Sequence, residues 1–239
     1  MFGIPKSISI LDKINEFVKS DKKFNKKYKT VITPPHTLIQ SYAKFFLNKK
    51  ISIGAQNCYH KDNFGANTGA ISSLMLKSVG AQYVIIGHSD NRSEGDTDEM
   101  LRSKVENSLS NKLKIVFCIG ENKEHKLNKK TFEVLENQIK NVLDSKFNFR
   151  DIIVAYEPIW SIGTGQIPEK DDLLKTTIFI KKVLKNIFKK SSPAVLYGGS
   201  VDGKNITQFK KLNEIDGFLV GGASKSDKNF IDIIKNYYR

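Results

Sequence analysis

The sequence predicts an α/β chain folded as a (β/α)8-type barrel, with seven strands and eight helices in one domain spanning residues 1–239. Two observations carry this. Short β-rich runs alternate with longer stretches of helical period, the pattern of a parallel sheet covered by helices. Polar and glycine-rich residues then recur just after the strands: Gln56-Asn57, Gly87-His88-Ser89, Gly120-Glu121, Glu157, Gly198-Gly199-Ser200 and Gly221-Gly222. A barrel gathers its site from loops at that end of its strands. A doubly wound sheet would instead concentrate its glycines after the first strand.

The elements follow in order. A helix over Ser7–Lys19 opens the chain, ahead of any strand. The β-branched run in Lys29–Thr33 makes the first strand, and His36–Leu47 the helix after it. Ile51–Ala55 is a strand followed by a helix over Ala70–Val79; Tyr83–Ile86 is followed by Thr97–Ser110. Lys114–Cys118 leads to a helix over Asn128–Leu143. Ile152–Ala155 leads to Lys170–Lys189, where Leu173, Ile180, Leu184 and Ile187 share one face at a period of 3.6. Ala194–Tyr197 precedes a helix over Asn205–Leu212, and Gly217–Val220 precedes the last helix, Asp227–Tyr238.

Composition narrows the function. Apolar residues make up 39% of the chain, enough for a sizeable core. No apolar run approaches the ~18–20 residues that span a bilayer, and the start MFGIPKSISILDK lacks the layout of a signal peptide. The expectation is a cytoplasmic protein with no membrane partner. Cys58 and Cys118 have no metal-ligand spacing and read as two buried free thiols. A net charge of +14 invites a nucleic-acid reading. The basic residues are 35 Lys and only four Arg, scattered and not interleaved with aromatics. Arg is the usual bidentate reader of bases and phosphates, so no nucleic-acid partner is expected and the lysines read as solvated surface.

Three groups of residues carry chemistry. Glu157 follows the 152–155 run, Pro158 restricts the next step, and Trp160–Gly165 forms a glycine-bearing flap. That order suggests a general base with a lid hinged onto it. His88 sits in Gly87-His88-Ser89-Asp90 at a strand end, where a helical turn begins. A helix N-terminus disfavours imidazolium, which suits a neutral hydrogen-bond donor; Ser89 and Asp90 flank it as supporting residues. Gly198-Gly199-Ser200 and Gly221-Gly222 follow the last two strands, a frequent phosphate position in barrels. His36, His60 and His125 read as surface or capping residues.

Taken together, these strings resemble triosephosphate isomerase along nearly the whole chain. They are TPP (33–35), IGAQN (53–57), TG (68–69), GAQYVIIGHS (80–89), CIGE (118–121), AYEPIWSIGTG (155–165), YGGSV (197–201) and DGFLVGGAS (216–224). His88 and Glu157 are 69 positions apart, close to the family spacing. The resemblance implies a TIM barrel that interconverts dihydroxyacetone phosphate and D-glyceraldehyde 3-phosphate without a cofactor or metal. Glu157 would move a proton between two substrate carbons, and His88 would donate to the carbonyl oxygens. Gly163, Ser200, Gly221 and Gly222 would bind the phosphate under the closed 161–165 flap. It also implies a homodimer in which the 57–69 loop enters the partner, with Thr68 near the partner's site.

The chain departs from the family in several places. Family members begin with a strand ending Asn-x-Lys-Met, whose lysine is catalytic. Here Met1-Phe2-Gly3 aligns with the Met and the two residues after it. The expectation is therefore a start-site truncation that leaves out the first strand and the lysine, opens the barrel and makes the chain poorly soluble and nearly inactive. Lys6 is a poor substitute, at a helix start. Asp90 stands where the family has glutamate, and Asn91 and Ala70 replace an arginine and a glutamate that pair across the dimer interface. Gln166-Ile167-Pro168 replaces a longer hinge. The competing readings are another phosphate-handling barrel enzyme, a noncatalytic phosphate-binding pseudoenzyme, and a nucleic-acid binder. The coupling of Glu157 to the flap tells against the first, and retention of His88, Glu157 and the flap against the second.

Overall fold

A computed structural model describes residues 3–23, 26–61, 64–189 and 191–239. Met1 and Phe2, which entered the alignment above, and Asp62 and Asn63 of the 57–69 loop lie outside the described residues.

Seven strands form one curled parallel sheet in sequence order: β1 (Thr30–Ile32), β2 (Ile51–Ala55), β3 (Tyr83–Ile86), β4 (Lys114–Ile119), β5 (Ile152–Tyr156), β6 (Ala194–Tyr197) and β7 (Gly217–Phe218). The longest registered pair is β4–β5, from Ile115 opposite Ile152 to Ile119 opposite Tyr156. Among the described residues β1 and β7 are the outer strands and do not pair with each other.

Alternation along the strands separates two cores. Val84 and Ile86, Ile115, Phe117 and Ile119, Val154 and Tyr156, and Val195 and Tyr197 face outward into the large core beneath the helices. The residues between them, Ile85, Val116, Cys118 and Ala155, face the inside of the curl, with Ile153, Leu196 and Leu219 against them. This parity positions the site: Ile153 and Ala155 point inward, so the next residue of that parity, Glu157, does too.

Nine α-helices cover the sheet among the described residues: α1 (Ile8–Ser20), α2 (Ile39–Phe45), α3 (Ser73–Ser78), α4 (Ser89–Ser93), α5 (Asp98–Ser110), α6 (Lys123–Leu127), α7 (Thr131–Val142), α8 (Lys170–Phe188) and α9 (Asp227–Tyr238). Their buried faces keep the helical period, as with Leu11, Ile14 and Val18 of α1 and Leu173, Ile180 and Leu184 of α8. Side-chain caps set several starts: Ser72 accepts from Met75 N–H, Thr97 from Met100 N–H and Ser226 from Asn229 N–H.

Four expectations are corrected. The helix expected over 205–212 is only a 3-10 turn, Ile206–Phe209. Asp202 Oδ1 accepts the Lys204 and Asn205 N–H groups, and Asn205 Oδ1 accepts that of Asp202. These local bonds compete with an α-helical ladder. The strand expected over 217–220 is two residues long, paired on one side only, to β6. The helix expected from Ala70 begins at Ser73, because the Ile71 carbonyl is taken by Tyr59 N–H across the loop. The helix expected over 128–143 starts at Thr131, and a separate short helix, α6, precedes it, capped by Asn122. With α4, this makes nine α-helices where eight were expected.

Candidate active site

Glu157 is the first residue past β5, and its backbone continues the ladder: its N–H donates to Ile119 O at 2.8 Å, and Gly198 N–H donates to Tyr156 O at 2.8 Å. Extending the register places Gly120 on one side of Glu157 and Gly198 on the other. Both must be glycine. A Cβ at Gly198 would fall 2.7 Å from Glu157 Cγ, and one at Gly120 would collide with the Glu157 carbonyl oxygen. Gly120 and Gly198 therefore make room for Glu157.

Glu157 is only 3% exposed. Burial pushes its carboxyl up to about 7, a rise that His88 and a Cys118 hydrogen bond partly offset. Cys118, directly below on β4, has its thiol pushed well up by burial and then by Glu157, so it is an inert neutral neighbour. A carboxyl tuned close to neutrality can both take and return a proton.

His88 is the N-cap of α4. Its Nδ1 accepts the Asp90 N–H at 3.2 Å, and its Nε2 lies 3.5 Å from Glu157 Oε1. An Nδ1 that accepts a backbone N–H leaves the proton of the neutral ring on Nε2, facing the site. The Asp90 carboxylate is 3.5 Å from Nδ1 on the solvent side, and Ser89 opens α4 beside it. Arg92 fastens this loop to β4: Nε donates to Gly87 O at 2.9 Å, one terminal nitrogen to Cys118 O at 3.3 Å, and the other to Asp98 at 3.2 Å.

The flap leaves Glu157 through Pro158 and a 3-10 turn, Ile159–Ser161. Glu121 anchors it. Its Oε1 accepts Trp160 Nε1–H at 2.9 Å and the Tyr156 hydroxyl at 3.2 Å, and its carboxyl is raised by complete burial. Gly163, at φ +68°, lies at the exposed tip. Across from it, Ser200 Oγ donates to Ser161 O at 2.7 Å and accepts Gly165 N–H at 3.1 Å. Gly221 and Gly222 are exposed at the mouth of a 3-10 turn, Gly222–Lys225, after β7.

Sequence reasoning singled out His88, Glu157 and the flap, and the structure brings these together. It missed the roles of Cys118, Glu121, Arg92, Ser161 and Tyr197, all set by tertiary contacts. It also read His36 as a surface or capping residue, whereas its Nε2 is 2.8 Å from Asn57 O. Among the lysines, Lys104 departs from the solvated pattern. It is 3% exposed, with Nζ 2.6 Å and 2.8 Å from the two Asp96 oxygens and 2.9 Å from Asn57 Oδ1. Among the described residues, no cluster of His, Cys, Asp and Glu could hold a metal ion, and no helix is long and apolar enough to cross a membrane.

Known proteins resemble this chain along nearly its whole length. The triosephosphate isomerase family profile matches residues 4–237. The triosephosphate isomerase of Dictyoglomus thermophilum is 38% identical over 229 residues, covering 93% of this chain and 91% of that protein. That of Wolbachia pipientis is 41% identical over 207 residues, covering 87% and 80%. The crystal structure of triosephosphate isomerase from Bartonella henselae superposes with a TM-score of 0.90 at 30% identity, covering all of this chain and 96% of that one.

Proposed function

This chain belongs to the triosephosphate isomerase family, a family of isomerases, and on that premise we propose that Glu157 and His88 interconvert dihydroxyacetone phosphate and D-glyceraldehyde 3-phosphate. The observation that carries this is the buried Glu157 carboxyl facing His88 Nε2 at 3.5 Å beneath a flap tied down at both ends.

In the forward direction Glu157 takes a proton from the hydroxymethyl carbon of the ketose. The C–H electrons become the carbon–carbon double bond of an enediolate, and the former carbonyl oxygen carries the negative charge. His88 Nε2–H donates to that oxygen where charge develops. His88 gives its Nε2 proton to that oxygen and takes the proton of the adjacent hydroxyl, which moves the charge to the other oxygen. As that oxygen becomes the aldehyde carbonyl, protonated Glu157 returns its proton to the neighbouring carbon, giving the aldose. One carboxyl serves as base and then acid, so the reaction needs no cofactor. Gly163, Ser200, Gly221 and Gly222 offer backbone N–H and hydroxyl donors to the phosphate, and the flap excludes water from the enediolate.

The homodimer reading draws on the 57–69 loop. Phe64 on it is 81% exposed and lines a cleft with Tyr59, Lys61, Asn67, Ala70 and Met75. An exposed aromatic in such a cleft fits a second copy of the chain. A cytoplasmic location goes with the glycolytic role of the family.

The test is isomerisation by the purified chain and by Glu157→Gln, with inorganic phosphate binding measured alongside. The proposal expects formation of D-glyceraldehyde 3-phosphate that falls about 10²–10⁴-fold in the variant. Phosphate binding with no turnover in either protein would favour the pseudoenzyme reading instead.

A further inference from the structure

The flap carries a buried hydroxyl that the reaction above does not use. Ser161 is fully buried, although it sits in the flap between half-buried Trp160 and exposed Gly163. Its Oγ–H donates to Gln166 O at 2.5 Å, five residues on, which joins the two ends of the flap. A hydroxyl has one proton and two lone pairs. With the proton committed to a carbonyl, the contact with Tyr197 OH at 3.2 Å must run from tyrosine to serine. The second lone pair faces Ser200 N–H at 3.5 Å. Every hydrogen-bonding position of this one oxygen is filled, by partners from the flap, from β6 and from the loop after β6. Ser200 reciprocates, with its own hydroxyl on the Ser161 carbonyl. Gly199, just before Ser200, agrees independently. A Cβ on Gly199 would lie 2.7 Å from Ser161 Oγ and collide with the Tyr197 hydroxyl.

We propose that Ser161 is a positioning residue: its hydroxyl locks both ends of the flap to each other and to Tyr197 and Ser200, and so fixes the flap over Glu157. The consequence for turnover rests on the isomerase reading; the lock itself does not. Removing the hydroxyl leaves the Gln166 carbonyl, the Tyr197 hydroxyl and the Ser200 N–H without this partner, and loosens the flap at the end next to the base.

Trp160, the only tryptophan in the chain, adjoins Ser161 and reports on the flap. The experiment measures acrylamide quenching of Trp160 fluorescence in the full chain, free and with inorganic phosphate, for wild type, Ser161→Ala, Tyr197→Phe and the double variant. The expected result is quenching at least about twofold higher in Ser161→Ala. Phosphate affinity should weaken by about tenfold, the loss of roughly one hydrogen bond. The double variant should be no worse than the worse single variant, because both remove the same contact. Unchanged quenching in Ser161→Ala, or strictly additive effects, would overturn the proposal. If Ser161→Ala does not fold, Tyr197→Phe alone decides: raised quenching supports the lock and wild-type quenching overturns it. None of these readouts requires isomerisation, so a failed turnover assay leaves the lock standing, and a failed lock leaves the isomerase reading standing. Where turnover is present, Ser161→Ala should raise KM and lower kcat together.

Discussion

His88 Nε2 lies 3.5 Å from Glu157 Oε1, and the two groups reach that distance from different strand ends, β3 and β5, with β4 between them. Arg92 holds the β3 end to β4, and Gly120 at the β4 end admits the Glu157 backbone. The pair is thus placed by the sheet and not by a flexible loop.

Its first consequence concerns pH. The Glu157 carboxyl is raised from 4.5 to about 7 by burial, so between those values the folded protein binds a proton that the unfolded chain has released. The stability difference between wild type and Glu157→Gln should therefore shift against wild type as pH rises through that window, by on the order of 3 kcal/mol in all. Denaturant melts of both proteins at pH 4.5 and pH 7.5 check the sign. In the proposed mechanism the same ionisation supplies the base, so kcat/KM should fall as pH drops below about 7.

Gly198 tests the space around the base. A Cβ there would stand 2.7 Å from Glu157 Cγ, so Gly198→Ala must displace the carboxyl. Proton transfer should fall by about 100-fold, the scale of an ångström misplacement. Phosphate affinity, which does not involve Glu157, should stay near wild type. Paired kinetics and phosphate titration read the two effects separately.

Lys104 and Asp96 form the buried ion pair of the α5 face, completed by Asn57. Lys104→Met leaves a carboxylate without its cation and should cost roughly 3–5 kcal/mol in denaturant melts. Adding Asp96→Asn should recover much of that loss, because the uncompensated charge goes too.

The sheet should also be unevenly stable. Among the described residues β1 and β7 each pair on one side only, whereas β4 is flanked by β3 and β5. Backbone amides of Val31 and Phe218 should exchange with solvent far faster than that of Phe117. Uniform protection across all seven strands would contradict this arrangement.

Much of this was readable before any coordinates. The limits of β2, β3 and β6 coincide with the apolar runs that announce them, because each run is bounded by polar residues, proline or glycine. Glu157 and His88 stand out in the sequence because each lies two residues past the end of such a run. The misreadings have local causes. Asp202 and Asn205 divert a helix into a 3-10 turn by capturing backbone N–H groups, and five-residue helices such as α4 and α6 are too short to show a period. Glu121, Ser161 and Tyr197 gain their roles only through contacts 35 to 39 positions away along the chain, which no local pattern encodes.

The most direct test of the central claim follows the proton itself. The chain and Glu157→Gln are each incubated with dihydroxyacetone phosphate in deuterated water, and proton NMR follows the hydroxymethyl carbon. The account predicts deuterium at that carbon with wild type and its loss to near background with Glu157→Gln. Equal exchange by the two proteins would show that Glu157 is not the base.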